Sequence, residues 1–196
     1  FPIHLFSPVS PAVLNSKRLN IISILMVKRT VSYERVFEEV LRSKGVLYLA
    51  IDERRRPIHE DKPVKNFDFL VSSFNGKFLV DVKGKKFPYG QRGYWENWIT
   101  RDDLNGLATW AKHLTATIPL LVYVYHVQET ADLPKFRDLV HHEGEDYGII
   151  AVELSAYFSH AKPRSTRWKA LSVPSKEFQM LCKPASHFIP ELGKKW

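Results

Sequence analysis

The chain lacks the features that define several protein classes. It has one cysteine, Cys182, in 196 residues, which excludes an intramolecular disulfide framework and any multi-cysteine zinc site. Its apolar runs, 20–27 and 118–127, fall short of the roughly 18 residues that a membrane-spanning helix needs. A lone cysteine fits a reducing compartment. We therefore expect a cytoplasmic protein with no membrane partner.

Familiar catalytic and zinc-binding patterns are also missing. The eight histidines form no His-Glu-x-x-His or zinc-finger motif, and there is no P-loop or Ser-His-Asp pattern. His141 and His142 are adjacent, and adjacent side chains point apart on a helix or a strand. We expect the histidines to have structural or surface roles.

Acidic residues are scarce, most of all at the amino terminus. Residues 1–25 contain no acid, and they lack the basic start and small-residue cleavage site of a secretory signal. Met26 follows, just before the first clear helical pattern. We predict an extension over residues 1–26, either disordered or a mis-assigned start, and a single domain over residues 27–196.

Positive charge exceeds negative charge along the chain. There are 29 Lys and Arg against 21 Asp and Glu, and the formal net charge is +8. Such an excess favours a polyanionic partner, most often nucleic acid. On charge alone, a solvated basic surface without a specific partner is an equal alternative.

Helical and strand signals alternate from residue 32 onward. A hydrophobic content of 44% is enough for one substantial core. Capping residues and hydrophobic periodicity predict helices at residues 32–44 and after Thr100 and Asp103. Strands are predicted at 46–51, 118–127 and 147–154, a hairpin within 65–84, and loops at 52–62 and 84–98.

The predicted hairpin brings charged side chains together. Asn75-Gly76 predicts a two-residue turn with Phe74 opposite Lys77. In that register Asp68 faces Lys83, so Asp68, Asp81 and Lys83 share one side. The other side carries the apolar residues Phe67, Phe69, Val71, Phe78, Val80 and Val82.

Burying two carboxylates and an amine is costly in desolvation free energy. We therefore predict that this side of the hairpin is a metal site with a catalytic lysine. The structural alternative is an ordinary cross-strand salt bridge between Asp68 and Lys83 on a solvated face.

These residues and their order resemble the PD-(D/E)XK, or restriction-endonuclease-like, nuclease superfamily. The likeness spans residues 32–127 and rests on Glu34 in the first helix, Asp68, and the run Asp81-Val82-Lys83; Phe67 replaces the proline of the motif. It implies an α/β fold, with an αβββαβ core and a mixed central sheet flanked by helices. The first helix resembles that of archaeal junction-resolving nucleases. The Glu96-Asn97-Trp98 loop resembles one in a group of uncharacterised bacterial proteins.

The resemblance implies a role for each site residue. Asp68, Asp81 and the backbone carbonyl of Val82 would bind Mg²⁺, or alternatively Mn²⁺, and Glu34 would assist through water or bind a second ion. Lys83 would orient or deprotonate the attacking water and offset developing charge. A free lysine has a pKa of about 10.4, so positioning is the safer role. The implied reaction is hydrolysis of a phosphodiester bond, in DNA by resemblance.

Two basic clusters are candidates for nucleic-acid binding. The first follows the catalytic strand and the second surrounds Trp168; their members are Lys85, Lys86 and Arg92, and Lys162, Arg164, Arg167 and Lys169. For both, a solvated loop is the alternative. The main competing function is a catalytically silent module of nuclease fold that binds nucleic acid or protein. The basic loops disfavour a small-molecule metal hydrolase. A homodimer would suit cleavage of two strands.

Overall fold

A mixed β-sheet lies between two helical layers. The computed structural model describes residues 32–52, 54–90 and 93–193, so the predicted extension lies outside the described residues. The helices and strands, in chain order, are α1 (Ser32–Ser43), β1 (Leu47–Ala50), β2 (Ile58–His59), β3 (Lys62–Pro63), β4 (Phe69–Ser73), β5 (Gly76–Phe87), β6 (Ile99–Thr100), α2 (Arg101–His113), β7 (Thr117–Val127), β8 (Leu139–His142), β9 (Glu145–Glu153), α3 (Leu154–His160), β10 (Lys162–Ser165), β11 (Ala170–Ser172), α4 (Ser175–Leu181), β12 (Lys183–Pro184) and α5 (Ala185–Phe188). Short 3₁₀ helices lie at Thr130–Lys135 and Pro190–Gly193.

The central sheet has the strand order β1-β4-β5-β7-β9-β12, and β8 also pairs with β9. β5 and β7 are parallel, and the other pairs are antiparallel. β10, β11 and β6 form a smaller sheet, and β2 pairs with β3. The predicted fold class, α/β with a mixed central sheet flanked by helices, is confirmed. None of the described helices is long and apolar enough to cross a bilayer.

Side chains of β5 pack alternately against the two helical layers, because successive residues of a strand point to opposite faces. Phe78, Val80 and Val82 face α1 and α5. Leu79 and Phe87 face α2, α3 and α4. Both faces of β5 are therefore buried, as is usual for a strand with a parallel neighbour.

Local signals account for both long helices. An apolar stripe that includes Val36, Phe37 and Leu41 packs α1 on the sheet, and Gly45, with φ +66°, follows its end. Thr100 caps α2 in a reciprocal capping box with Asp103. The predicted helices are confirmed within a residue or two.

The predicted hairpin register is wrong by two residues. The loop is Phe74-Asn75, with Ser73 opposite Gly76. Glu191 accepts hydrogen bonds from Phe74 N (2.9 Å) and Ser73 Oγ (2.6 Å), which favours the observed loop. A shift of two residues preserves which side chains share a face.

Two further local predictions are corrected. The loop predicted from residue 84 begins later, because β5 pairs with β7 as far as Phe87 and Val127. Lys85 and Lys86 therefore lie in a strand. Phe67 packs in the α2 layer, with its ring centroid 5.4 Å from that of Trp110, because it precedes the regular pairing of β4.

Candidate active site

Two of the predicted site residues lie side by side near the middle of β5. Asp81 and Lys83 are alternate residues on the α2 face, and Lys83 Nζ lies 2.6 Å from Asp81 Oδ2. Asp81 is only 3% exposed. The ammonium group of Lys83 therefore engages this oxygen as a close ion pair inside the protein.

Asp68 joins them from the residue just before β4. Its Oδ2 accepts a hydrogen bond of 2.6 Å from the backbone N–H of Val82, which lies between Asp81 and Lys83 in the chain. Asp68 is also 3% exposed. Its carboxylate contributes to raising the pKa of Lys83. The structure thus brings together the three residues that the hairpin pattern singled out.

A fourth charged residue, Asp103, approaches from the first turn of α2. Lys83 Nζ donates to Asp103 Oδ1 at 3.1 Å, and Lys65 Nζ donates to the same oxygen. Asp103 Oδ2 accepts from Thr100 N (2.7 Å) and Thr100 Oγ1 (2.6 Å). Both oxygens of this buried carboxylate are therefore engaged, one by the helix cap and one by the two lysines.

Sequence reasoning gave Asp103 a capping role and missed Lys65. The capping box was a usable signal, because it places Asp103 in the first turn of the helix that follows β5 and β6. No comparable signal exists for Lys65, which is separated from Asp103 by 38 residues. Close packing against α2 also fixes the position of Lys65, since a Cβ on Gly106 would lie 2.5 Å from the Lys65 carbonyl oxygen.

The charged groups shift one another's pKa. Burial alone would lower the pKa of Lys83, but the carboxylates of Asp81 and Asp103 outweigh it and raise that pKa. Burial alone would raise the pKa of Asp103, but Lys83 and Lys65 hold it well below its usual range. Burial raises the pKa of Asp81, and Lys83 opposes that rise. Lys83 is thus an ammonium group at neutral pH, suited to stabilising negative charge rather than to accepting a proton.

Glu34 is carried by the helix of the opposite layer. Its neighbour Tyr33 packs on Gly84 so closely that a Cβ there would lie 1.9 Å from the Tyr33 ring. Gly84 follows Lys83 in β5, so the first turn of α1 lies over this part of the strand. Asp81 and Lys83, however, point to the α2 face. The helix that carries Glu34 therefore packs on the opposite face of the sheet from the ion pair.

In the first basic cluster, one of the two described lysines is buried and the other is exposed. Lys85 is 7% exposed, and its Nζ lies 3.7 Å from the ring centroid of Trp98. Burial lowers the pKa of Lys85 to about 8. Lys86 is exposed, and Arg92 lies outside the described residues.

The second basic cluster lies on the β10–β11 hairpin. Lys162, Arg164, Arg167 and Lys169 are all exposed. Arg164 Nη2 lies 3.3 Å from Glu96 Oε1, and Lys162 Nζ lies 3.8 Å from Glu177 Oε1. β11 pairs with β6, which leads directly into α2. This cluster therefore adjoins the helix that carries Asp103.

The comparisons with known proteins place the chain far from characterised relatives. No protein-family model matches it, and no curated protein matches it. Among solved structures it is similar to Hjc, a Holliday junction resolvase from the archaeal hyperthermophile Archaeoglobus fulgidus. The identity is 9%, the TM-score is 0.44, and the match covers 76% of this chain and 90% of that chain.

Proposed function

We propose that the protein is a divalent-metal-dependent nuclease that hydrolyses phosphodiester bonds in DNA. The observation that carries the proposal is the meeting of Asp68, Asp81 and Lys83 on two paired strands of a buried sheet. Uncompensated burial of so many charges would destabilise the fold. A perturbed, buried charge cluster next to a basic surface is typical of a functional site.

The donor set fits a hard cation such as Mg²⁺ or Mn²⁺. Such ions bind through one or two protein carboxylates and keep several waters. Asp68 and Asp81 would supply the carboxylates and Val82 its backbone carbonyl. Both carboxylates are only 3% exposed, and Asp68 binds the backbone N–H of the residue after Asp81, which supports this assignment. When bound, the ion would polarise the phosphate and acidify a water.

Lys83 has a role that needs no proton transfer. Its ammonium group would stabilise the charge that develops on the phosphate oxygens during hydrolysis. Asp103 would help to hold that group in place, since both Asp81 and Asp103 bind the Lys83 ammonium. Lys65 is a second ammonium group within this cluster. Glu34 is assigned the outer role through water or a second ion, because its helix starts beside Gly84.

A catalytically silent module that binds nucleic acid or a partner protein is the second candidate. Two observations favour it. Within the described ranges, no group of three or more His, Cys, Asp or Glu residues is placed to hold a metal ion. Moreover, Asp68 already accepts a hydrogen bond from Val82 N. In this alternative, the cluster would stabilise the fold only.

A cleavage panel over linear, nicked, branched and single-stranded DNA tests the proposal. We expect cleavage with Mg²⁺ or Mn²⁺ that stops with chelator. Asp81→Asn and Lys83→Met should each reduce the rate by at least about a hundredfold, as expected for loss of a charge-stabilising group. Asp102→Asn, an exposed neighbour of Asp103, should cut normally.

Metal titration by calorimetry gives an independent readout. Asp81→Asn should lose binding of Mn²⁺ while circular dichroism shows an unchanged fold. Cleavage that survives Asp81→Asn or Lys83→Met would contradict the proposed site. Salt-sensitive DNA binding without any metal-dependent cleavage would favour the silent module instead.

A further inference from the structure

The β10–β11 hairpin is joined to the candidate active site by a short series of contacts. The backbone N–H of Arg101 donates to the carbonyl of Lys169 at the hairpin turn (2.9 Å). Thr100, the preceding residue, binds Asp103, and Asp103 binds Lys83. The hairpin tip and Lys83 therefore both contact the first turn of α2, so one bound strand could reach both.

The hairpin carries charge of one sign. Residues 154–176 contain no acid. Arg164 and Lys162 are partly neutralised by Glu96 and Glu177. Arg167 and Lys169, at the turn, form no ion pair within the residues that the structure describes. The turn is thus the part of the hairpin with uncompensated positive charge.

An exposed indole lies between these two cations. Trp168 is 66% exposed, whereas Trp95 is 9% exposed. Its backbone N–H donates to Ser165 Oγ (3.3 Å), and Lys169 follows with φ +46°. The turn therefore has a defined conformation that directs a large aromatic ring to solvent. An aromatic ring held at the surface between two cations is available to stack on a nucleic-acid base.

A cavity of about 380 Å³ lies next to the turn. Its lining combines two cationic residues and two hydroxyl residues with a small apolar wall; the residues are Arg101, Lys169, Ser165, Thr166, Pro163, Ala170 and Leu171. Cations and hydroxyls are the usual partners of nucleic-acid phosphates. The volume falls within the range of small-ligand pockets.

We propose that this turn and cavity bind an unpaired nucleic-acid strand. A backbone phosphate would lie between Arg101 and Lys169, and an adjacent base would stack on Trp168. A duplex keeps its bases stacked on one another, so it offers no free base face to a protruding indole, whereas a single strand does. The inference rests on the proposed function for the choice of nucleic acid, and it narrows the substrate to single strands or to junctions with an unpaired arm.

Equilibrium binding in chelator separates this inference from catalysis. Labelled 20-nucleotide single-stranded DNA, the same length of RNA and the matched DNA duplex are titrated by fluorescence anisotropy. The single strands should bind more tightly than the duplex. Trp168→Ala should weaken single-strand binding by about tenfold, and Trp168→Phe should restore most of it because stacking tolerates any aromatic ring.

Matched controls define the outcomes. Phe158→Ala removes another exposed aromatic ring, on α3, and should leave binding unchanged. If wild-type protein does not cut DNA but Trp168 governs single-strand binding, the nuclease proposal fails and this inference stands. If the protein cuts DNA but Trp168→Ala binds single strands normally, or loses duplex binding equally, the inference is overturned. The DNA and RNA arms show which strand is preferred.

Discussion

Asp103 shows how one carboxylate can serve both a helix cap and the charged cluster of the candidate site. One oxygen completes the capping box, and the other is shared by Lys65 and Lys83. The cap fixes where Asp103 lies, and Asp103 then fixes where the Lys83 ammonium lies. A buried carboxylate with no cationic partner would be strongly destabilising. The local rule for starting a helix thus contributes to the geometry of the site.

Lys85 differs from Lys83 although both lie on the same face of β5 and are largely shielded from solvent. Lys83 lies between two carboxylates, which raise its pKa. For Lys85 burial is the larger effect and outweighs Glu96, so its pKa falls to about 8. The ring of Trp98 lies beside its ammonium group. Two lysines two residues apart therefore respond oppositely to their surroundings.

The lowered pKa of Lys85 predicts a pH dependence of stability. From about 8 to the ordinary value of 10.5, the unfolded chain binds more protons at this residue than the folded chain. The free energy of unfolding therefore gains a contribution that rises with pH across this window. Below pH 8 both states are protonated, and the folded state bears the full cost of burying the charge.

Lys85→Met removes the charge and keeps the apolar stem. Relative to wild type, the variant should be most favoured below pH 8 and lose that advantage as pH approaches 10.5. Urea denaturation at several pH values measures the difference. Lys86→Met, an exposed neighbour, should show no such trend. A constant difference between wild type and Lys85→Met would contradict the expectation.

At the scale of helices and strands, features with local causes were predictable. The stripe of α1, the cap of α2 and the alternation along β5 follow from residues close together in the chain. The pairing register of β4 and β5 does not follow from nearby residues. The turn between them is bound by Glu191, which is more than 110 residues away in the chain. The place of Lys65 in the site depends likewise on distant contacts. Motif residues were therefore predicted, while their supporting partners were not.

Gly106 is the point at which α2 meets the segment before Asp68. A Cβ here would lie 2.5 Å from the carbonyl oxygen of Lys65, and backbone cannot yield as a flexible side chain can. In an exposed helix, Gly→Ala would stabilise by about 1 kcal/mol. Gly106→Ala should instead destabilise by about 1–3 kcal/mol, the cost of overpacking, and it should slow cleavage by displacing Lys65 and Asp68.

Asn105→Ala is the matched control for this prediction. Asn105 is exposed on the preceding position of the same helix, so alanine should be neutral or slightly stabilising there. Thermal denaturation and the cleavage rate are measured for both variants. A stabilised and fully active Gly106→Ala protein would show that α2 and this segment are not in close contact.

Across the whole molecule, the positively charged residues differ in whether a nearby acid neutralises them. Some cations are buried in the site, and others are paired with acids at the surface. The unpaired cations of the hairpin turn and Lys83 both lie near the first turn of α2. If the protein binds nucleic acid as proposed, these cations would attract an anionic strand to the edge of the molecule that carries the candidate site. Net charge alone would not have indicated this position.

Salt dependence measures how many cations contact the strand. Each phosphate neutralised on a single strand contributes a slope of about −0.7 to log K against log salt concentration. Arg167→Gln with Lys169→Asn removes two such contacts, and asparagine tolerates the positive φ of residue 169. The slope for single-stranded DNA should therefore become shallower by about 1.4.

Lys77→Gln with Lys112→Gln removes the same charge from the start of β5 and the end of α2, away from the hairpin, and should leave the slope unchanged. Equal changes in both double variants would mean that binding responds to overall charge and not to this surface.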